Sequence, residues 1–340
     1  MRCCRTYVHA VNRQSTVVVR QLKNMKKIAS SMSSVCLQRE LDELPSQMLL
    51  HRHQSLCTYL CPWEAIPKVM REIAIQREVT FRAVGEGTGE EMDCDDFDRH
   101  YLHLFLWDEA AGKIVGGYRL GVVGKIREIA GDEGLYTSTL FGFATDLLDE
   151  LHDGMELGRS FVVPEYQGHP FVLSLLWKGI GTYVSRNPQH RLLFGPVSIS
   201  NDYSHLSRSL MVQYLRKDRM HESWRGKVMA RMPFRSALDD IDEVVERHDD
   251  WTSKYASIEA LNASVMEMEG KGIPILLKHY LKLNARVLDF HLDAKFGDAL
   301  DVLIVTDLLD APDLTVKRYL GAEGWENLRD FHRVKGQDCA

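Results

Sequence analysis

The run from Met155 to Ile199 constrains the architecture more than any other part of the chain. MELGRSFVVP reads as a strand, EYQGH as a short loop, FVLSLLWKGIGTYVSRN after Pro170 as a helix, and RLLFGPVSIS as a second strand. Proline suits a first helical turn, where its missing N–H would have no partner anyway. Strand, helix and strand in that order imply a parallel or mixed sheet, because parallel neighbours need a long crossover.

The flanking pattern extends this core. IPKVMREIAIQREVTFRAV places Ile66, Val69, Met70, Ile73 and Ala74 at helical spacing, after an entry segment from about Leu41 and a strand in LCTYLCPW. YLHLFLWD and KIVGGYRLG alternate on either side of EAAG and read as a β-hairpin. Between helix and hairpin, GEGTGEEMDCDDFD reads as flexible and acidic. Its glycines follow no strand and its acids repel phosphate, which argues against a phosphate loop. Residues 213–250 are charge-rich and read as an insertion. Beyond them come a helix (Tyr255 to Gly270), a second helix in IPILLKHYLKL, the strand pair ARVLDFHLD and LDVLIVTDLL, and a closing helix in TVKRYLGAEGWENL. The expected fold is α/β, a mixed central sheet flanked by helices with an extended C-terminal half. One domain is expected over residues 41–325, between a leader (1–40) and a tail (326–340).

With 340 residues, 45% of them hydrophobic, the chain can bury a sizeable core. Residues 1–39 hold eight Lys or Arg and no acid, whereas the chain as a whole carries a net charge of −6. The folded part is therefore acidic, and no nucleic-acid partner is expected. The basic leader reads as a disordered tail, a surface-binding arm, a transit-like segment or an over-extended start. The seven cysteines have no C-x-x-C pair and the histidines no H-E-x-x-H, so a reducing cytoplasmic setting and no metal are expected. No apolar run is long enough to cross a bilayer, which leaves peripheral contact with an inner membrane as the expected limit.

The ordered set QREVTFR, DDFD, VGGYRLG, LYTSTLF, MELGRSFVVPEYQ, LLWKGIG, LFGPVSISNDY and GIPILLKHYLKL resembles the GNAT-like group of ornithine-acyl-carrier-protein N-acyltransferases and the so-called hemolysins. A more distant likeness is to acyl-homoserine-lactone synthases. The resemblance spans about Glu43 to Gly321 and implies a GNAT-like fold. It further implies transfer of a fatty acyl group, 3-hydroxylated in this group, from acyl carrier protein to the amine of ornithine or a similar small amino acid, giving a lyso-aminolipid. Acyl carrier protein is thus the implied partner, with acyl-coenzyme A as the other possible donor and no permanently bound cofactor. In ordinary GNAT enzymes backbone N–H groups of the loop hold the coenzyme A pyrophosphate. Here Pro170 lacks one such donor, which fits a carrier-protein donor.

Glu156 is the residue that by this resemblance receives or orients the acceptor amine, with Arg159 beside it. A bulge at Gly158 would bring both side chains to one face, which also permits a plain ion pair between them. Arg77, Phe81, Asp95, Asp98 and Arg119 fall where the resemblance implies an acceptor site, although the two acids also suit loop caps and Arg119 a cross-hairpin pair. Ser160, Val162, Gln167, Gly168, Ser198, Ser200, Asn201 and Tyr203 are the expected donor-side residues, with SISND alternatively a helix cap. His103 and Asp108 have the spacing of glycerolipid acyltransferases but lie in an alternating strand, on opposite faces. Two other readings are an acyl-homoserine-lactone-like synthase and a non-catalytic lipid- or membrane-binding relative.

Overall fold

The structure, a computed structural model, describes residues 25–239 and 257–338. In chain order, helix α1 (Ser34–Asp42), strands β1 (Leu49–His53) and β2 (Leu56–Pro62) and helix α2 (Pro67–Ala83) lead to the hairpin β3 (Leu102–Asp108) and β4 (Lys113–Val122). Helix α3 (Val123–Ala130), the short β5 (Phe141–Phe143) and α4 (Thr145–Glu150) precede β6 (Met155–Val162), α5 (Val172–Arg186) and β7 (Leu192–Ile199). The second half holds α6 (His205–Asp218), β8 (Val228–Ala230), α7 (Ile258–Glu269) and α8 (Ile275–Lys282). The hairpin β9 (Arg286–Asp293) and β10 (Ala299–Asp307) and the helix α9 (Asp313–Asp338), bent at Gly321, complete it.

Eight strands form one sheet in the order β1-β2-β3-β4-β6-β7-β10-β9, and β5 pairs with β8 apart from it. Every neighbour in the large sheet is antiparallel except β6 and β7. That parallel pair joins only at Met155 with Leu193 and Glu156 with Phe194, and then the strands part. From there β7 is held by β10, in register from Leu300 with Ile199 to Asp307 with Leu192.

Gly195 sets how closely the two strands approach before they diverge. A Cβ there would lie 2.0 Å from the carbonyl oxygen of Leu157, which belongs to backbone and cannot rotate away. Gly195→Ala is expected to cost about 3 kcal/mol by overpacking, read as a lower urea midpoint.

The two faces of the sheet differ. On one, Leu104, Leu120, Leu157, Val197 and Val302 pack with Trp177, Leu215, Tyr280 and Trp325 of the covering helices in one large core. On the other there are two apolar clusters. Phe105, Trp107 and Phe161 meet α2 and α1, and further along Phe194, Leu303 and Val305 meet Ile126, Leu135, Phe141 and Leu147. Arg119 of β4 and Glu156 of β6 lie between these clusters, both 1% exposed.

Several expected boundaries move. Residues 25–40 are not a separate leader, because Lys26 N–H and Ala29 N–H donate to Gly89 and Glu91, and Leu37 and Leu41, one helical turn apart, are buried. Residues 1–24 lie outside the described residues. The expected insertion begins inside α6, whose apolar face is buried, and includes β8, while residues 240–250 lie outside the described residues. The expected tail continues α9, with Leu328 fully buried. Among the described residues no helix is long and apolar enough to cross a membrane.

Candidate active site

The segment read as flexible is fastened by its own acids. Asp95 accepts from the N–H of Asp98 at 3.2 Å, and the Asp98 carboxylate accepts from the N–H of Asp95 at 3.0 Å, a reciprocal cap on the short turn Asp96–Arg99. Capping and ion pairing therefore coexist here. Arg77 of α2 donates to both oxygens of Asp98 at 2.8 Å and to the carbonyl of Asp93 at 3.1 Å. Arg119 reaches Asp98 at 3.1 Å and also Asp95, while Arg159 pairs with Asp93 and Asp95, each at 3.1 Å. Three guanidinium groups thus face three carboxylates, which lets charges this deep remain ionised. Burial pushes the Asp98 carboxyl upward, but the charge and hydrogen bonds of Arg77, helped by Arg119, hold it well below the usual carboxylate range.

Aromatic rings line the network. The Arg119 guanidinium lies 4.9 Å from the Tyr101 ring and 5.1 Å from Tyr136, and that of Arg159 lies 4.7 Å from Tyr136 and 4.6 Å from Phe296. Phe81 meets Phe296 edge-on at 6.4 Å.

The bulge is in β6, one residue later than expected. Gly117 pairs with Phe161 and Arg119 with Gly158, so β6 takes three steps where β4 takes two. Arg159, not Gly158, adopts the left-handed conformation, with φ 48°. Such a backbone costs on the order of 1–3 kcal/mol in a residue with a side chain, and the ion pairs to Asp93 and Asp95 offset it. Glu156 and Arg159 do point to the same face, yet they are not an ion pair. The Glu156 carboxylate accepts from the Tyr101 hydroxyl and, at 2.7 Å, from the N–H of Thr137, while Tyr136 N–H donates to the same Tyr101 oxygen at 2.9 Å. Burial pushes the Glu156 carboxyl above its ordinary value, against the pull of Tyr101 and Thr137.

His103 also belongs to this network. Burial pushes its pKa down to about 4, and the neutral ring donates to the carbonyl of Asp98 at 2.7 Å. Asp108, on the other face, accepts from Tyr166, so the two do not act together. Among the described residues no group of three or more His, Cys, Asp and Glu is arranged to hold a metal ion.

Beyond Glu156 the strands open. A Cβ at Gly158 would meet nothing within 4 Å, so an open space lies on the face shared with Glu156. Ser198 and Asp301 face this side from β7 and β10, and the Ser198 hydroxyl donates to Asp301 Oδ1 at 2.8 Å. Burial, opposed by Ser198 and aided by Asp293, pushes the Asp301 pKa up to about 7. Glu86, just past α2, is likewise pushed up to about 7 by burial and by Asp202 and Asp293.

Residues 76–178 match a family model described as an acetyltransferase (GNAT) domain. The chain is 31% identical over 302 residues to a glycine N(alpha)-acyltransferase of Bacteroides thetaiotaomicron, covering 83% of this chain and 87% of the relative. A protein of the same name from Phocaeicola vulgatus is 30% identical over 289 residues, with 81% and 86% covered. The chain belongs to the GNAT acyltransferase family. A solved coenzyme A-dependent acyl-homoserine lactone synthase, BjaI with SAM and isopentyl-CoA, overlaps 41% of this acyltransferase and 65% of its own chain, at 14% identity and a TM-score of 0.27.

The acyltransferase does not gather all the expected donor-side residues at one place. Gly168 has φ +82° and open space around it, and α5 begins only at Val172, with no side-chain cap. Gln167 is exposed and its amide turns back to the carbonyl of Val162 at 3.0 Å, while Val162 itself packs on the large core. Ser160 points away from Arg159 to the opposite face, beside the Tyr118 hydroxyl. Ser200 donates to Val84 O at 3.4 Å and Asn201 is exposed. Tyr203 is buried with its hydroxyl on the carbonyl of Gly272 at 2.6 Å, so it faces the α7–α8 connection instead of the opening. The cap of α6 is Ser204, not the SISND segment. Asp93, Tyr101, Tyr136, Thr137 and Asp301 join the site without having been expected there.

Proposed function

We propose that this acyltransferase moves a long-chain acyl group from a thioester to the α-amine of a small amino acid, with glycine the leading acceptor. The observation that carries the reading is the space at Gly158, where β6 and β7 part, next to Arg159, whose guanidinium is near enough to the Asp301 carboxyl to act on its charge. A guanidinium and a carboxyl complement the carboxylate and ammonium of an amino acid. Two relatives named glycine N(alpha)-acyltransferase support glycine. Ornithine remains a comparison acceptor.

Both oxygens of Glu156 are engaged by Tyr101 and Thr137. It therefore acts as a positioning residue, holding the Tyr136–Thr137 backbone on which the aromatic wall of Arg159 rests. The extra residue in β6 leaves backbone N–H groups outside the ladder, the kind of donor that stabilises an oxyanion.

The test is thiol release by purified protein from 3-hydroxyacyl and plain acyl thioesters, on acyl carrier protein and on coenzyme A. The acceptor panel is glycine, ornithine, lysine, serine and S-adenosylmethionine, with mass spectrometry of the product. Release that depends on glycine and yields N-acylglycine is expected. No release with any amine, from protein that still binds the thioester, would overturn the proposal in favour of a lipid-binding relative.

A further inference from the structure

An amino acid arrives as an ammonium and must lose a proton before its nitrogen can attack a thioester. Both oxygens of Glu156 already accept a hydrogen bond, from Tyr101 and from Thr137 N–H, which sets that carboxylate to holding the wall of the site. We infer that Asp301 is the catalytic base, taking the proton from the acceptor ammonium on its Oδ2; the inference rests on the amine-acylating function proposed above. Its neighbours in β10, Leu300 and Val302, belong to the large core on the opposite face, so Asp301 alone of this trio faces the opening. Ser198 fixes Oδ1, and Oδ2 accepts no hydrogen bond from a described residue.

The groups around Asp301 come from several elements: Ser198 of β7, Asp293 of β9 and His291 directly opposite on the same strand, whose pKa burial lowers, Glu86 beyond α2, Arg159 of β6 and Tyr136. The acids favour an incoming cation, and burial keeps the carboxyl near neutrality, where a base both accepts and releases protons. The reaction balances without another reagent. The N–C bond forms and the C–S bond breaks. Of the three ammonium protons, one goes to Asp301 and then to solvent, one to the departing sulfur, and one stays on the amide.

The test is Asp301→Asn, which retains an acceptor for Ser198 and resembles the protonated acid that burial favours. With glycine at neutral pH, kcat is expected to fall about 100-fold, with KM for the acyl thioester unchanged and the rise of rate through about pH 7 abolished. Hydroxylamine, whose nitrogen needs no deprotonation at neutral pH, is expected to lose far less. Glu86→Gln removes a neighbouring negative charge and should move the rise to lower pH. A variant within about threefold of wild type, with its pH rise intact, would overturn the assignment. If Glu86→Gln instead abolishes the rise, or leaves it unmoved, the assignment to Asp301 also fails, and this arm decides should Asp301→Asn not fold. Wild-type protein inactive toward every acceptor would strike the proposed function and this inference with it, whereas an active wild type with an Asp301→Asn variant that keeps its rate and pH rise strikes the inference alone.

Discussion

Gly158→Leu is expected to abolish acyl transfer while the protein stays folded. The position has no left-handed φ, and an added Cβ would meet nothing within 4 Å, so a side chain can leave the backbone here without strain at its first carbon. It would instead occupy the opening beside Arg159 that the proposed reaction needs. A reacting pair displaced by even one ångström loses about 100-fold, so a loss of at least that size in kcat/KM is expected, with the thermal midpoint essentially unchanged. Turnover within tenfold of wild type would mean that the acyl group and amine meet elsewhere.

Arg77→Ala is expected to be the most destabilising single change in the charged network. Arg77 is 1% exposed and carries both oxygens of Asp98, which is fully buried, and the carbonyl of Asp93. Truncation strands buried charge, and breaking such a pair costs about 3–5 kcal/mol, a large part of the 5–15 kcal/mol that holds a typical domain together. Urea denaturation at neutral pH measures it. The sign with pH is also set. Asp98 is held below its ordinary range, so its contribution is present above the unfolded carboxyl value and is lost as pH falls. The wild-type advantage over Arg77→Ala should accordingly shrink in acid. A cost below about 1 kcal/mol would show that Arg119 alone neutralises Asp98.

Much of the scaffold was legible because its signals are local. Alternation in Tyr101–Asp108 and Lys113–Gly121, helical spacing from Ile66 to Ala74 and Pro170 ahead of α5 each act over a few residues, and the strands and helices follow them. The site was legible only in part. Arg77, Asp95, Asp98, Arg119 and Arg159 do converge, but Asp93 looks no different in sequence from the other acids of its loop, and Tyr101 and Tyr136 read as ordinary strand and loop aromatics. Glycine tolerates unusual backbone, so the sequence points to Gly158 for the bulge, whereas Arg159, held by two ion pairs, is the residue that adopts that backbone. Asp301 did leave a trace. In ALDVLIVTD, Leu300, Val302 and Ile304 take one face and Leu303 and Val305 the other, so an acid on the second face well inside the strand, unlike Asp307 at its end, was a visible exception to an apolar strand.

The near-separation of β6 and β7 also bears on how the molecule is made. A strand that keeps only two pairing positions with its predecessor must find its main partner downstream, and β10 emerges from the ribosome only after α6, α7 and α8. Until then the nascent chain presents an unpaired edge, the kind of surface on which aggregation starts. Helices synthesised in the interval can shelter one face of β7 but not its backbone groups. Closure therefore waits on the last hairpin, and a chain stalled or truncated before Ala299 would be a client for chaperones.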